Sequence, residues 1–299
     1  MHNVYAWMRI VSESTNVIHH HHTTIHAIIP SPSDGKDEGA HGHISKERDS
    51  GLDSFLQLEP YQLSNGSDVG ARTVPASSTV DIHMETAHHD IDNLHMQIYG
   101  VPETWLRLVS QITRLSNALD LHASNGRAVD AEVLLSWQVR SSHLEDSVCA
   151  FQARYGSMES STIAELSPHV FMVRALSWAL VIFYYRRIKK VNPLVLKDSV
   201  SNVIQALHQF DHALEQRGLV GPGTAWPAFI AGAEAMETKQ RQQIRAWLDE
   251  AASQSGWKSY TASKMVLEEI WEDSDKTGAR RSHTWVDICR RSRHWLLLC

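Results

Sequence analysis

The residues best suited to chemistry lie near the front of the chain. His19, His20, His21 and His22 form an unbroken run, with His26 beyond it, and neutral imidazoles in such a cluster can ligate zinc or nickel. His83, His88, His89 and His95 raise the same question, with Asp90 and Asp92 as carboxylate ligands. On a helix, His88, Asp92 and His95 share one face through i, i+4, i+7 spacing. A working metal site needs ligands oriented by hydrogen bonds behind them, which a low-complexity tract does not supply. The run at 19–22 is therefore read as low-complexity or tag-like. The 83–95 group is read as a polar helix face or linker, because a catalytic zinc motif usually sets a glutamate base beside its ligands. A metal-dependent enzyme built on these histidines is the remaining alternative.

Other catalytic signatures are missing. The chain contains no GxSxG, Walker loop, GxGxxG or HExxH. Glu268-Glu269 and Glu272-Asp273 are paired carboxylates, but Asp275 and Lys276 beside them make a solvated charged face the simpler reading. Cys149 falls in an amphipathic stretch with no evident histidine and acid to activate it, and reads as a packed thiol. Arg186, Arg187, Lys189 and Lys190 form a basic run suited to nuclear localisation or phosphate binding. A solvated helix end, where cations complement the dipole, explains the same residues. The protein is not expected to be an enzyme.

The elements that carry these residues divide the chain in two. At about 150 residues per domain, a length of 299 allows two compact units at most. Residues 1–100 hold five Lys/Arg against thirteen Asp/Glu and twelve of the nineteen histidines, whereas 101–299 hold 23 against 21 and nine of the ten tryptophans. The front is acidic, and the core-forming residues sit behind it. Cys149, Cys289 and Cys299 are too few and too widely spaced for a disulfide framework or a multi-cysteine zinc cluster formed by this chain alone, which fits a reducing compartment. The most apolar stretch, Val170 to Tyr185, is interrupted by Arg174 and leaves eleven uncharged residues, short of the roughly 20 that cross a bilayer. Neither a membrane span nor a secretory leader is expected. A pI near 6.3 gives no general attraction to nucleic acid.

Residues 29–51 and 63–80 are rich in Pro, Gly, Ser and charge and cannot bury enough apolar surface to offset chain ordering. After Gly100 the pattern becomes helical. Val101, Trp105, Leu108, Ile112, Leu115 and Leu119 make one apolar stripe, behind Pro102 at a helix start. A second helix is predicted from about Arg127 to Arg154 on Val133, Trp137, Leu144, Val148 and Phe151. The stretch after Ser167-Pro168 is apolar nearly all round and predicts a central buried helix. Leu196, Val200, Val203, Leu207, Phe210 and Leu214 repeat the stripe until Gly218. A small-residue helix over 228–235 follows, then helices over 238–255, 259–273 and 282–298. No strand alternation appears after Gly100, so the expectation is an all-α, irregular multi-helix array of about seven or eight helices.

Three segments in order carry a resemblance. IYGVPETWLRLVSQITRL (98–115), AWPAFIAGAEA (225–235) and MVLEEIW (265–271) resemble the "YG-x-P", "WP-x-FIAG-x-EA" and "vleevW" blocks of the fungal-specific transcription factor domain, in particular its arginine-metabolism-regulator type. The resemblance covers roughly Leu94 to Cys299. Relatives of this kind bind DNA through an N-terminal binuclear zinc cluster of six cysteines and use the helical region for regulation. This chain has neither six cysteines nor the basic linker, the front half of the helical domain is not visible ahead of Leu94, and Ala233 stands where many relatives carry Cys. Zinc and DNA binding are therefore carried over to no residue.

The resemblance implies a nuclear regulatory domain over 94–299, preceded by a low-complexity, acidic, His-rich and largely disordered segment over 1–93. It would act in transcription regulation through protein partners of the transcription machinery, touching DNA only indirectly, with no membrane association and no cofactor. A small-molecule effector lodged between helices is a further means of modulation. The family-motif residues to watch are Tyr99, Gly100, Pro102, Trp226, Pro227, Phe229, Ile230, Gly232, Glu234 and Trp271, and their expected role is structural. Glu234 stands out, because a carboxylate among Ala and Phe must be paired if buried. The alternatives are a non-catalytic helical scaffold and the product of a degenerate or truncated gene.

Overall fold

Helical periodicity dominates the computed structural model, which describes residues 2–15, 100–125, 131–156, 167–221, 223–277, 285–292 and 298. Among these residues there is no strand. The helices are α1 (His2–Thr15), α2 (Glu103–Asn125), α3 (Ala131–Gly156), α4 (Pro168–Arg187), α5 (Lys197–Gln216), α6 (Trp226–Glu234), α7 (Thr238–Ser255), α8 (Lys258–Thr277) and α9 (Trp285–Ser292), with a 3-10 turn at Pro193–Leu196. Eight of these α-helices follow Gly100, in agreement with the all-α array expected from periodicity.

Helix α4 is the axle. Its sequence is apolar on every side, so it is stable only when surrounded, and it packs against α2, α3, α5 and α6. By length and composition it could cross a membrane, yet 67% of its apolar window is buried against the other helices. Helix α5, its most extensive neighbour, continues directly from the 3-10 turn, which the Asn192 side chain caps by accepting a hydrogen bond from the Leu194 amide (2.9 Å), and is followed by Gly218, whose left-handed φ of 60° turns the chain away. Its predicted stripe faces inward from Leu196 to Phe210. Helix α6 lies deepest, with all nine residues buried. Ala228, Ala231, Gly232 and Ala233 bring its backbone close to α7 and α8.

Two sequence readings change. The stripe of α3 is core-facing only from Leu144 onward, through Val148 and Phe151. Val133 is exposed and Trp137 is half-buried, because the first three turns of α3 reach past the helices that cover the rest. Cys149 is likewise exposed rather than packed, since it lies roughly 100° around the helix from Val148. At the other end, α1 falls within residues 1–93, the stretch read as low-complexity, and joins the core by packing on α2 with Val11 fully buried. Val4, Trp7, Val11 and Ser14 are spaced 3, 4 and 3, the signature of one helix face.

Candidate functional site

The family-block residues converge on one interior. Gly100 has φ 69°, and a Cβ there would sit 2.8 Å from the His169 ring, so glycine fits both the backbone and the space. The Pro102 carbonyl then accepts from the Trp105 amide (3.1 Å) and opens α2. Trp105 meets Trp226 edge-on, with ring centroids 4.9 Å apart and planes at 90°. Trp226 in turn packs edge-on against Phe183 of α4 at 5.6 Å, and Phe229 meets Trp285 of α9 at 5.7 Å. This aromatic network joins α2, α4, α6 and α9. Tyr99 lies outside the described residues.

Polar atoms inside this network are paired. Trp226 Nε1 donates to Ser14 Oγ (2.9 Å) on α1, and that hydroxyl donates to the Val11 carbonyl (2.7 Å). Trp105 Nε1 donates to the Leu176 carbonyl (3.3 Å), and Trp271 Nε1 to the Gly232 carbonyl (2.9 Å). Gly232 has no room for a side chain, because a Cβ would come within 2.7 Å of Leu267. Trp271 also carries Arg241 and Arg245 over its ring, at 5.8 and 5.2 Å. Pro227 and Ile230 complete the buried block.

Glu234 is buried and paired. Arg186 Nε lies 2.8 Å from its Oε2, an ion pair rather than a well-aligned hydrogen bond. The rest of the basic run follows the same pattern. Arg187 Nη1 reaches Asp120 Oδ2 and Lys190 Nζ reaches Asp120 Oδ1, each at 3.0 Å, while Lys189 Nζ lies 2.7 Å from Glu145 Oε2. Burial works against ionisation of Asp120, but Arg187 and Lys190 outweigh it and hold the carboxyl below its usual range. Arg186 and Arg187 are buried, so this is no solvated helix end. The run clamps the end of α4 to α2, α3 and α6 through partners that are distant in sequence.

The remaining candidates are dispersed. Glu268 pairs with Arg245 (3.1 Å) and Glu272 with Lys276 (3.5 Å), which ties the predicted carboxylate pairs to neighbouring cations. Among the described residues no group of three or more His, Cys, Asp or Glu is placed to hold a metal ion. The histidines at 19–26 and 83–95, with Asp90 and Asp92, lie outside those residues. Burial raises the Cys289 thiol to about 12, so it stays protonated and unreactive.

Two features escaped the sequence reading. Asp211 on α5 is pushed up to about 7 by burial and by Glu250 and Glu215, against a hydrogen bond from Trp247 that favours ionisation. Between α5 and α7 an open groove of about 560 Å³ is lined by Gln205, His208, Gln209, His212, Lys239 and Gln243. His208 and His212 sit one turn apart, a pattern visible in the sequence but without catalytic spacing around it.

The family model described as "Fungal specific transcription factor domain" matches residues 1–299, so the similarity extends ahead of Leu94, where the sequence blocks end. Neither the curated proteins nor the solved structures give a match.

Proposed function

Since the chain belongs to the fungal specific transcription factor domain family, whose role is transcription regulation, we propose that it is a regulatory domain acting in the nucleus through protein partners, with no DNA contacts of its own. One observation carries this reading: the most distinctive chemistry of the chain is turned inward. The family block is buried, Glu234 is paired, and the four cations at the end of α4 are matched by carboxylates. A basic run neutralised in this way is a poor magnet for phosphates. Helix faces and the groove between α5 and α7 remain for recognition. Amide and imidazole groups in that groove suit a small polar effector better than an apolar one. Among the described residues no constellation of side chains supports catalysis.

The test is the whole chain fused to an independent DNA-binding module upstream of a reporter. Activation or repression relative to the module alone is the expected result. Unchanged reporter output at matched protein levels would favour a helical scaffold with no part in transcription.

A further inference from the structure

We propose that the groove between α5 and α7 binds a small organic anion, whose carboxylate or phosphate head group is held by Lys239, His208 and the amides of Gln205, Gln209 and Gln243. This rests on the reading of the groove as an effector site and names the chemistry of the effector. At about 560 Å³ the groove has the size of a small-molecule site. Its walls are tied together: Gln240 of α7 donates to the Lys197 carbonyl (3.3 Å) and to Ser201 Oγ (3.0 Å) of α5, so the groove is preformed. Ile204, buried in its lining, gives the carbon skeleton of a ligand an apolar floor, which favours an organic anion over a bare inorganic one.

The charges along the groove decide the sign of the ligand. Glu237 lines it, but Lys197 Nζ lies 2.6 Å from its carboxylate, so that charge is matched. His212 is engaged as well, with its Nε2 3.0 Å from the Gln216 amide nitrogen. Lys239 is exposed and has no carboxylate partner among the described residues, and His208 is exposed and equally without a partner among them. The neutral groups point the same way. Gln209 Oε1 accepts from Arg174 Nη1 (3.2 Å), which spends the acceptor end of that amide and leaves its NH2 group to donate. Gln205 on α5 and Gln243 on α7 can each turn an NH2 group inward. An ammonium, an imidazole and amide donors on two facing walls match the oxygens of a carboxylate or phosphate. The ammonium repels a cationic ligand, and a neutral one leaves its charge unanswered.

Isothermal titration of the full chain at fixed ionic strength tests this, with succinate, glucose 6-phosphate and glucose as probes. Saturable binding of at least one of the two anions is expected, and the one that binds tells a carboxylate head group from a phosphate. Glucose should not bind. Lys239→Glu should weaken the anion about tenfold or more, because it sets like charge against like. Lys239→Arg should largely preserve binding. Lys258→Glu, an exposed reversal on α8 outside the groove lining, should leave it unchanged, and unchanged circular dichroism separates lost binding from lost folding. Saturable binding of neither anion overturns the proposal. So does glucose binding as tightly as glucose 6-phosphate, or an affinity that Lys239→Glu leaves intact or Lys258→Glu lowers equally. The fusion reporter tests the regulatory reading separately: a chain that binds the anion through Lys239 but leaves the reporter unchanged keeps the site and loses that reading.

Discussion

Arg186 and Glu234 meet at 2.8 Å with only 9% and 1% of their side chains exposed, and they join the end of the central helix to the end of the deepest one. Each is a desolvated charge that the other makes tolerable. Glu234→Ala should therefore cost about 3–5 kcal/mol, the usual penalty for stranding a buried partner. Replacing both by leucine should cost much less than the single change. Chemical denaturation of the three variants checks this, and additive losses would mean that the two charges do not depend on each other.

Gly232→Ala adds a methyl where Leu267 lies 2.7 Å and Ile244 3.2 Å from the Cβ position. Both neighbours are buried and must shift. Overpacking of this kind costs about 1–3 kcal/mol. The urea midpoint should fall with little change in slope; an unchanged midpoint would show that α7 and α8 can retreat freely.

Asp211 gives stability a pH dependence. Its folded pKa of about 7 lies above the ordinary carboxylate value, so the folded state holds a proton that the unfolded state releases. Its effect is absent near pH 3, where both states are protonated. Stability is lost as pH rises from about 4 to 7, and the full cost persists above that. Asp211→Asn keeps an acceptor for Trp247 and removes the charge facing Glu250 and Glu215. The variant should be more stable than the parent by about 1–2 kcal/mol at pH 8, a figure reduced for solvent screening of a partly open group, and equal to it near pH 3. Thermal melts at both pH values read the difference.

Ser14→Ala removes the acceptor of the buried Trp226 Nε1. An unmatched buried donor costs about 1–3 kcal/mol. Because the bond anchors α1, amide hydrogen exchange should accelerate chiefly in α1, while α4 and α5 keep their protection. Uniform acceleration would mean that α1 is inseparable from the core.

The sequence was most legible where one helix face alone determined burial. The stripes of α2 and α5, and the all-round apolarity of α4, needed only spacing. Val133 failed because helical period identifies a face but does not say where the covering neighbour ends. The basic run failed for a related reason: nothing local reveals that Asp120 and Glu234, far away along the chain, come to meet Arg187 and Arg186. Glu234 could be read as needing a partner from burial cost alone, though Arg186 could not be named. Asp211 left no trace, because its altered proton affinity arises first from burial against other helices and then from Glu250 on one of them. The N-terminal helix carried its own signal in Val4, Trp7, Val11 and Ser14, which was obscured by the composition of the residues after it.

The bond between Ser14 and Trp226 spans 212 positions. During synthesis α1 therefore leaves the ribosome more than 200 residues before the partner of its Ser14 hydroxyl, so it can pack on α2 but cannot complete that bond until α6 has been made. Long-range closure of this sort slows folding and leaves early segments available to other chains meanwhile. Helix α1 is thus made well before α6 and fully seated only after it, in the period when chaperones have most to do.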